Sequence, residues 1–200
     1  MTKEQYPLRE RRRIASRTAF IESARDLFEE AGFGNTSMEQ IAERAGLHVQ
    51  TLYRHFPTKQ SLSATIQIEK FKAAFDERDK DTLTFWHRWV EEQARTVVVP
   101  EYLHHLSETY SDPKLAGVAS MVATEYLNML ANGLAQDFSM DRDSDCLPIL
   151  IANMLWGANA DAVQRWSKSN GEADLVEFAG SAAKEVAKVV DQLLGTHHEF

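Results

Sequence analysis

The 200-residue chain predicts an all-α fold. Three observations carry that expectation. Apolar residues recur at spacings of three and four from Met38 onward; no alternating apolar and polar run beyond Lys59 is long enough for a strand; and Gly, Pro and Asn-Gly breaks separate the periodic stretches. The most informative of these stretches is 36–56. It reads as two short helices around one glycine-centred turn, the arrangement that sets a helix into a DNA groove.

The first of the two helices starts at Ser37, whose hydroxyl suits an N-cap while Gln40, three positions on, completes a capping box. Met38, Ile41, Ala42 and Ala45 share one face and lean on a core, leaving Glu39, Glu43 and Arg44 in solvent. Gly46 ends the helix because it tolerates the left-handed conformation common at helix C-termini. The second helix is confined to 49–56, since Pro57 disfavours helical backbone in the residue before it. Leu52 and Phe56 share its inner face, so Gln50, Thr51, Tyr53, Arg54 and His55 project elsewhere.

Further helices follow in order. Thr58 caps one that carries Leu62, Ile66, Phe71 and Phe75 to residue 80; Asp81 or Thr82 restarts another through Phe85, Trp86, Trp89 and Val97, ended by Pro100. A short helix over 102–110 closes at Ser111-Asp112-Pro113. A long one over 115–138 sets Leu115, Val118, Val122, Tyr126, Met129 and Leu130 to one side, and 139–145 is a polar loop. Two last helices, 146–169 and 173–194, are split by Asn170-Gly171, and the tail with His197 and His198 is expected to fray.

Composition sets the boundaries of the reading. A 44% hydrophobic content suits one or two domains with a real core, and the single Cys146 excludes an intrachain disulfide and favours a reducing compartment, hence the cytoplasm. Residues 1–13 are polar, unlike a secretory signal, and the most apolar stretch, 147–163, is interrupted by Asn153, Asn159 and Asp161, so no membrane span is expected. Charge is unevenly distributed. Residues 1–62 hold ten Lys/Arg against eight Asp/Glu, a net of +2, which leaves −10 for the rest of a chain whose formal charge is −8. Phosphates attract the first part and repel the second. Arg9, Arg11, Arg12 and Arg13 form the densest basic run, either a solvated leader or a first-helix start that touches DNA backbone or minor groove.

The string Thr51-Leu52-Tyr53-Arg54-His55-Phe56, followed by Pro57-Thr58-Lys59, resembles the end of the recognition helix in the tetracycline-repressor family of bacterial transcription regulators. Upstream, Ile21, Ala24, Leu27, Phe28, Gly32 and Phe33 are similar to that family's first-helix pattern. The likeness covers residues 9–65. It implies a three-helix helix-turn-helix domain with a basic N-terminal arm in 1–62, an all-helical ligand-binding and dimerisation domain in 63–200, and a repressor that binds a palindromic operator as a homodimer and is released by a small molecule. Within that reading Gln50 and Thr51 are the base readers, since Gln pairs bidentately with adenine and the Thr methyl meets thymine, with Val49 adding apolar contact. Tyr53, His55 and Lys59 resemble the family's phosphate-contacting positions, and Thr36 or Ser37 stands at a helix start where a phosphate would meet it. His48 departs from the family, which carries a small hydroxyl residue at that N-cap; it is either a tolerated substitution or a ring that itself faces groove or phosphate.

The resemblance also places an apolar or aromatic effector in the middle helices. Trp86, Trp89, Tyr110, Met121, Tyr126, Met129, Met154 and Trp156 supply apolar surface, and Glu125 and Asn153, with Asn128 and Asn159 nearby, supply polar points. The same residue types build ordinary cores, and Glu125 has a plainer reading as an exposed side chain. The last two helices are the expected dimer surface: Gly157, Ala158 and Ala162 allow close approach, and Val176, Ala179, Ala183, Val186, Val190 and Leu194 form an apolar stripe. Periodicity alone leaves open whether that stripe faces a partner or its own domain.

Enzyme motifs are missing: the chain has no Gly-rich phosphate loop, no His-Glu-x-x-His and no Gly-x-Ser-x-Gly. Neighbours on a helix point about 100° apart, so His104-His105 makes no metal pair. Neither a metal nor a cofactor is expected. The competing readings are a helical small-molecule-binding protein without operator binding, and a helical enzyme.

Overall fold

The computed structural model describes residues 8–97 and 116–198, and among these every regular element is an α-helix. The elements are α1 (Leu8–Ala31), α2 (Met38–Arg44), α3 (Val49–His55), α4 (Lys59–Asp76), α5 (Thr82–Val97), α6 (Ala116–Asp137), α7 (Leu147–Lys168) and α8 (Leu175–Leu194). The expected helix over 102–110, with Tyr110, and position Leu115 lie outside the described residues. Two compact units divide between Gln67 and Ile68, within α4.

In the first unit, Phe20, Ile21 and Ala24 of α1, Met38, Ile41 and Ala42 of α2, Leu52 of α3, Phe56, and Leu62 and Ile66 of α4 form one buried cluster, with Leu27, Phe28, Ala45 and Val49 packed against it. Burying each large side chain is worth about 1.5–3 kcal/mol, and that is what holds helices of only seven residues. Phe20, fully buried, escaped the sequence stripe, which begins at Ile21.

The second unit packs α5, α6, α7 and α8 with the C-terminal part of α4 around Phe71, Trp86, Leu130, Leu134, Ile151, Leu155 and Val190. The α4 helix stops at Asp76 rather than continuing to 80. There the Arg78 guanidinium turns back, donating to the Phe75 carbonyl at 3.0 Å and lying 4.1 Å from its ring centroid. Asp81 then caps α5 by accepting the Thr84 amide (2.9 Å), and Asp137, the last residue of α6, accepts the Thr82 amide (2.6 Å). Gly133 lets α6 approach this corner. A methyl group there would lie 2.5 Å from the Phe75 ring and would also collide with the Thr82 hydroxyl.

Two expectations about the C-terminal helices are corrected. Ala162, Ala179, Ala183, Val186 and Val190 are buried in their own unit, with Val176 and Leu194 packed against the same core, so the apolar stripe is spent within the chain. A different face of α7 and α8 stays exposed, with Leu150, Met154, Phe178, Val189 and Leu193. Nor does the tail fray at His198. Its Nδ1 lies 2.5 Å from Asp191 Oδ1, its backbone N–H donates to Asp191 Oδ2 (2.9 Å), and the Thr196 hydroxyl donates to Oδ1 (2.7 Å). Burial pushes the Asp191 carboxyl up, but these hydrogen bonds and the His198 charge outweigh it and hold it down at about 2.

Candidate nucleic-acid interface

The site is built on α2 and α3. Ser37 Oγ accepts the Gln40 amide (3.1 Å) while Gln40 Oε1 accepts the Ser37 amide (2.7 Å), so the capping box read from the sequence is formed. At the other end of α2, Gly46 adopts φ +66°. Its N–H bonds to the Glu43 carbonyl and that of Leu47 to the Ala42 carbonyl, both at 3.0 Å, the paired bonds of a Schellman termination. The chain therefore leaves α2 along one defined path into His48. That residue has extended backbone (φ −69°, ψ 136°), makes no side-chain cap, and starts α3 through its carbonyl, which accepts the Thr51 amide at 2.8 Å.

Fully buried Leu52 and nearly buried Phe56 anchor α3, and Val49 packs half-buried beside them. On the opposite side Gln50 and Arg54, four residues apart, are exposed, Thr51 is half-exposed, and Tyr53 and His48 are exposed at the flanks. Short, polar and fixed by its back, this helix presents amide, hydroxyl and guanidinium groups of the kinds that read base edges and bind phosphates. The sequence site omitted Arg54. Its i, i+4 relation to Gln50, opposite Leu52, is the signal that identifies it.

The expected phosphate contacts divide. Tyr53 and Ser37 are accessible, the latter with its hydroxyl already in the cap. Thr36 is corrected: its side chain is 3% exposed, and its hydroxyl donates inward to the carbonyls of Gly32 (2.9 Å) and Leu27 (3.2 Å). His55 turns toward α1, with its ring 6.0 Å from Phe20 and Nε2 3.0 Å from Ser16 Oγ. Because the Ser16 hydroxyl donates to the Arg13 carbonyl (3.0 Å), its oxygen is left to accept, which assigns the Nε2–H tautomer to His55. Burial lowers the His55 pKa, and the neighbouring charges of Arg13, Arg54 and Arg17 lower it further. Lys59 is half-buried at the start of α4. Its Nζ donates to the Phe33 carbonyl (2.6 Å) and the Thr36 carbonyl (2.8 Å) and lies 4.3 Å from the Phe33 ring centroid, and burial lowers its pKa.

The basic run is helical from Leu8 onward. Arg9, Arg11 and Arg12 are exposed on the first turns of α1, and Arg13 pairs with Glu10 at 2.7 Å. Arg17 lies 5.1 Å from the Phe56 ring centroid, bringing α1 charge beside the end of α3.

In the second unit the residues expected around an effector separate in the same way. Trp86, Trp89, Tyr126 and Trp156 meet in one aromatic cluster, and Met129 packs against that core. At its centre is Phe71, 4.0 Å from Tyr126 in a stacked pair and 5.1 and 6.0 Å from Trp89 and Trp86. Phe71 entered the sequence reading only as part of the α4 stripe. Among the described residues, the buried Trp86 Nε1 is without a hydrogen-bond partner. Met121, Glu125, Asn153 and Met154 lie apart from this cluster, exposed on α6 and α7; Glu125 thus takes the plainer of its two readings, and Asn153 donates to the Ile149 carbonyl (2.7 Å) on its own helix. No group of three or more His, Cys, Asp or Glu able to hold a metal occurs among the described residues, and no described helix is long and apolar enough to cross a membrane.

Known proteins match this architecture. The family described as bacterial regulatory proteins, tetR family, matches residues 20–66, which run from buried Phe20 through the capping box and α3 to Ile66. The HTH-type transcriptional regulator TcmR of Streptomyces glaucescens is 38% identical over 58 residues, 29% of this chain and 26% of that protein. The HTH-type transcriptional regulator SAB2452 of Staphylococcus aureus (strain bovine RF122 / ET3-1) is 45% identical over 49 residues, 24% of this chain and 26% of that protein. The matched segment thus spans about a quarter of each of these curated relatives. Solved structures extend the likeness of fold to most of the chain. The Thermus thermophilus FadR repressor, in complex with lauroyl-CoA, superposes with a TM-score of 0.61 at 16% identity, covering 92% of this chain and 97% of that one. A TetR transcriptional regulator from Rhodococcus sp. RHA1 does so with a TM-score of 0.57 at 19% identity, covering 94% and 99%. The helix-turn-helix segment, residues 20–66, thus matches the tetR family of bacterial regulatory proteins, and among the described residues it is set in a fold made of helices alone.

Proposed function

We propose that the protein is a ligand-responsive transcriptional repressor that binds a palindromic operator as a homodimer and is released by a small molecule. The observation that carries this reading is the outer face of α3, where Gln50, Arg54 and Thr51 stand opposite a fully buried Leu52. Gln50 and Thr51 read bases, with Val49 at the edge of the contact, and a bidentate Gln–adenine pair discriminates by about 1–3 kcal/mol. Tyr53, Arg54 and the α1 arginines hold the phosphates on either side.

Two recognition helices must reach successive major grooves, about 34–36 Å apart, which calls for a two-fold dimer. The exposed apolar face of α7 and α8, with Leu150, Met154, Phe178, Val189 and Leu193, supports a dimer through these helices. An apolar or aromatic effector is proposed to act at the ring cluster around Phe71, with Trp86, Trp89, Tyr126 and Trp156. To switch the protein it must favour the non-binding state by a coupling of about 1–3 kcal/mol.

Selection of duplexes from a randomised library by the full chain tests this function. The wild type is expected to enrich two-fold symmetric sites. Gln50→Ala is expected to shift the preferred bases at one position of each half-site, and Tyr53→Phe to weaken binding by a similar factor on every duplex. Equal loss on all duplexes for Gln50→Ala refutes its role as a reader, and failure of the wild type to enrich any sequence leaves a helical small-molecule-binding protein in its place.

A further inference from the structure

We propose that Lys59 is a positioning residue of the DNA interface rather than a phosphate ligand: its ammonium bolts the start of α4 to the turn that carries the N-cap of α2. This inference rests on the DNA-binding reading above, and it reverses the role that the resemblance implies for this position.

An ammonium has three N–H donors. Two of those of Lys59 are spent on backbone carbonyls, Phe33 at 2.6 Å and Thr36 at 2.8 Å, and the Phe33 ring lies against the same charge at 4.3 Å. A phosphate would have to displace these partners or share the one remaining donor. The segment they hold is itself fully committed. Gly32 turns the chain at φ +83°, the Thr36 amide donates back to the Phe33 carbonyl (3.4 Å), and the Thr36 hydroxyl ties the segment to the end of α1 through the carbonyls of Leu27 and Gly32. The next residue is Ser37, whose capping box fixes the first turn of α2. Lys59 therefore connects three helices of the first unit at one point: α4 through its own backbone, α1 through Phe33 and Thr36, and α2 through the residue after Thr36. Its withdrawal would take a donor from each of two carbonyls, Phe33 and Thr36, and let the α2 start shift, and α3 follows α2 through a single turn at Gly46.

A phosphate ligand and a bolt leave different signatures. Losing a phosphate contact weakens all duplexes alike and lowers the slope of log K against log [salt] by about 0.9 per contact. Losing a bolt misplaces the reading helix, which harms selected DNA more than arbitrary DNA and leaves the slope intact. The experiment uses full-length Lys59→Met and Phe33→Leu, the wild-type-selected duplex, a scrambled duplex of equal length, and amide hydrogen exchange of the free proteins, all well below the melting temperature. For Lys59→Met the expected results are at least a tenfold loss on the selected duplex, less than a twofold loss on the scrambled one, an unchanged salt slope, and at least tenfold faster exchange at Ser37 and Gln40. Phe33→Leu, which removes the ring and keeps the charge, is expected to move the same quantities in the same direction by a smaller factor. Equal loss on both duplexes with a lower slope and unchanged exchange makes Lys59 a phosphate ligand and overturns the proposal, as does unchanged affinity on both. Failure of the wild type to select any duplex counts against the DNA-binding reading instead, whereas a wild type that binds with Lys59→Met indistinguishable from it counts against the bolt alone.

Discussion

At the level of single residues, a polar side chain's identity says which bonds it is able to make, and only its surroundings say which it makes. Thr36, His55 and Lys59 are all compatible with phosphate contact by type and position. In the fold their polar atoms meet carbonyls, Ser16 and a phenyl ring of the same unit. Gln50 and Tyr53, by contrast, are where their place on a short helix puts them, because Leu52 and Phe56 determine the helix's rotation. The partners of His55 and Lys59 come from 23 to 39 positions away in the chain, beyond any local pattern. His55 makes this testable. Burial and three arginines hold its pKa below the usual 6.5, so the folded state resists protonation. A group depressed in this way makes stability fall as pH drops below the unfolded value toward the folded one. In a proton-detected titration the His55 ring is expected to keep its Nε2–H form through pH 6.5 and to titrate below it, and His55→Gln is expected to reduce the loss of stability between pH 7 and 5. A midpoint above 6.5 would show that the arginines do not set its charge.

Capped helix ends were legible in the sequence because capping is local chemistry, whereas the end of α4, at Asp76 instead of 80, was not. The Ser37–Gln40 box, the Gly46 turn, the Thr58 cap with its Ser61 partner, and the Asn170-Gly171 break all occur where the residues indicate. The facing of the apolar stripes was less legible. A stripe such as Ala179, Ala183, Val186 and Val190 shows that a helix has a buried side and carries no mark of what buries it; here it is the chain's own core. Close helix approach was similarly hidden, since Gly133 looks like any helical glycine until Phe75 and Thr82 are seen against it. Helix propensity alone favours Gly133→Ala by up to about 1 kcal/mol. The added methyl must displace a buried aromatic ring, an overpacking cost of about 1–3 kcal/mol, so the net effect is expected to be destabilising. Thermal or urea unfolding checks this, and an alanine variant more stable than the wild type would show that the corner between α4, α5 and α6 yields easily.

For the whole molecule, the uneven charge carries the functional logic. A net of +2 in residues 1–62 against −10 in the rest directs a polyanion to the first unit, where α1 and α3 present their arginines. The expectation of an all-helical chain needed only periodicity and punctuation. The proposed dimer face and the proposed effector site depend on surfaces that acquire meaning through a partner, which is why residue patterns reach them least. The exposed apolar face of α7 and α8 and the reading face of α3 become one mechanism only if two chains bind one site. The most direct test of that claim is the affinity of the full chain for a selected two-fold duplex, for one half-site of it and for a scrambled duplex, each as a function of salt. The account predicts two chains per full site, a half-site bound at least a hundredfold more weakly, and affinity that falls steeply with rising salt. Equal affinity for all three duplexes, or affinity indifferent to salt, would contradict it.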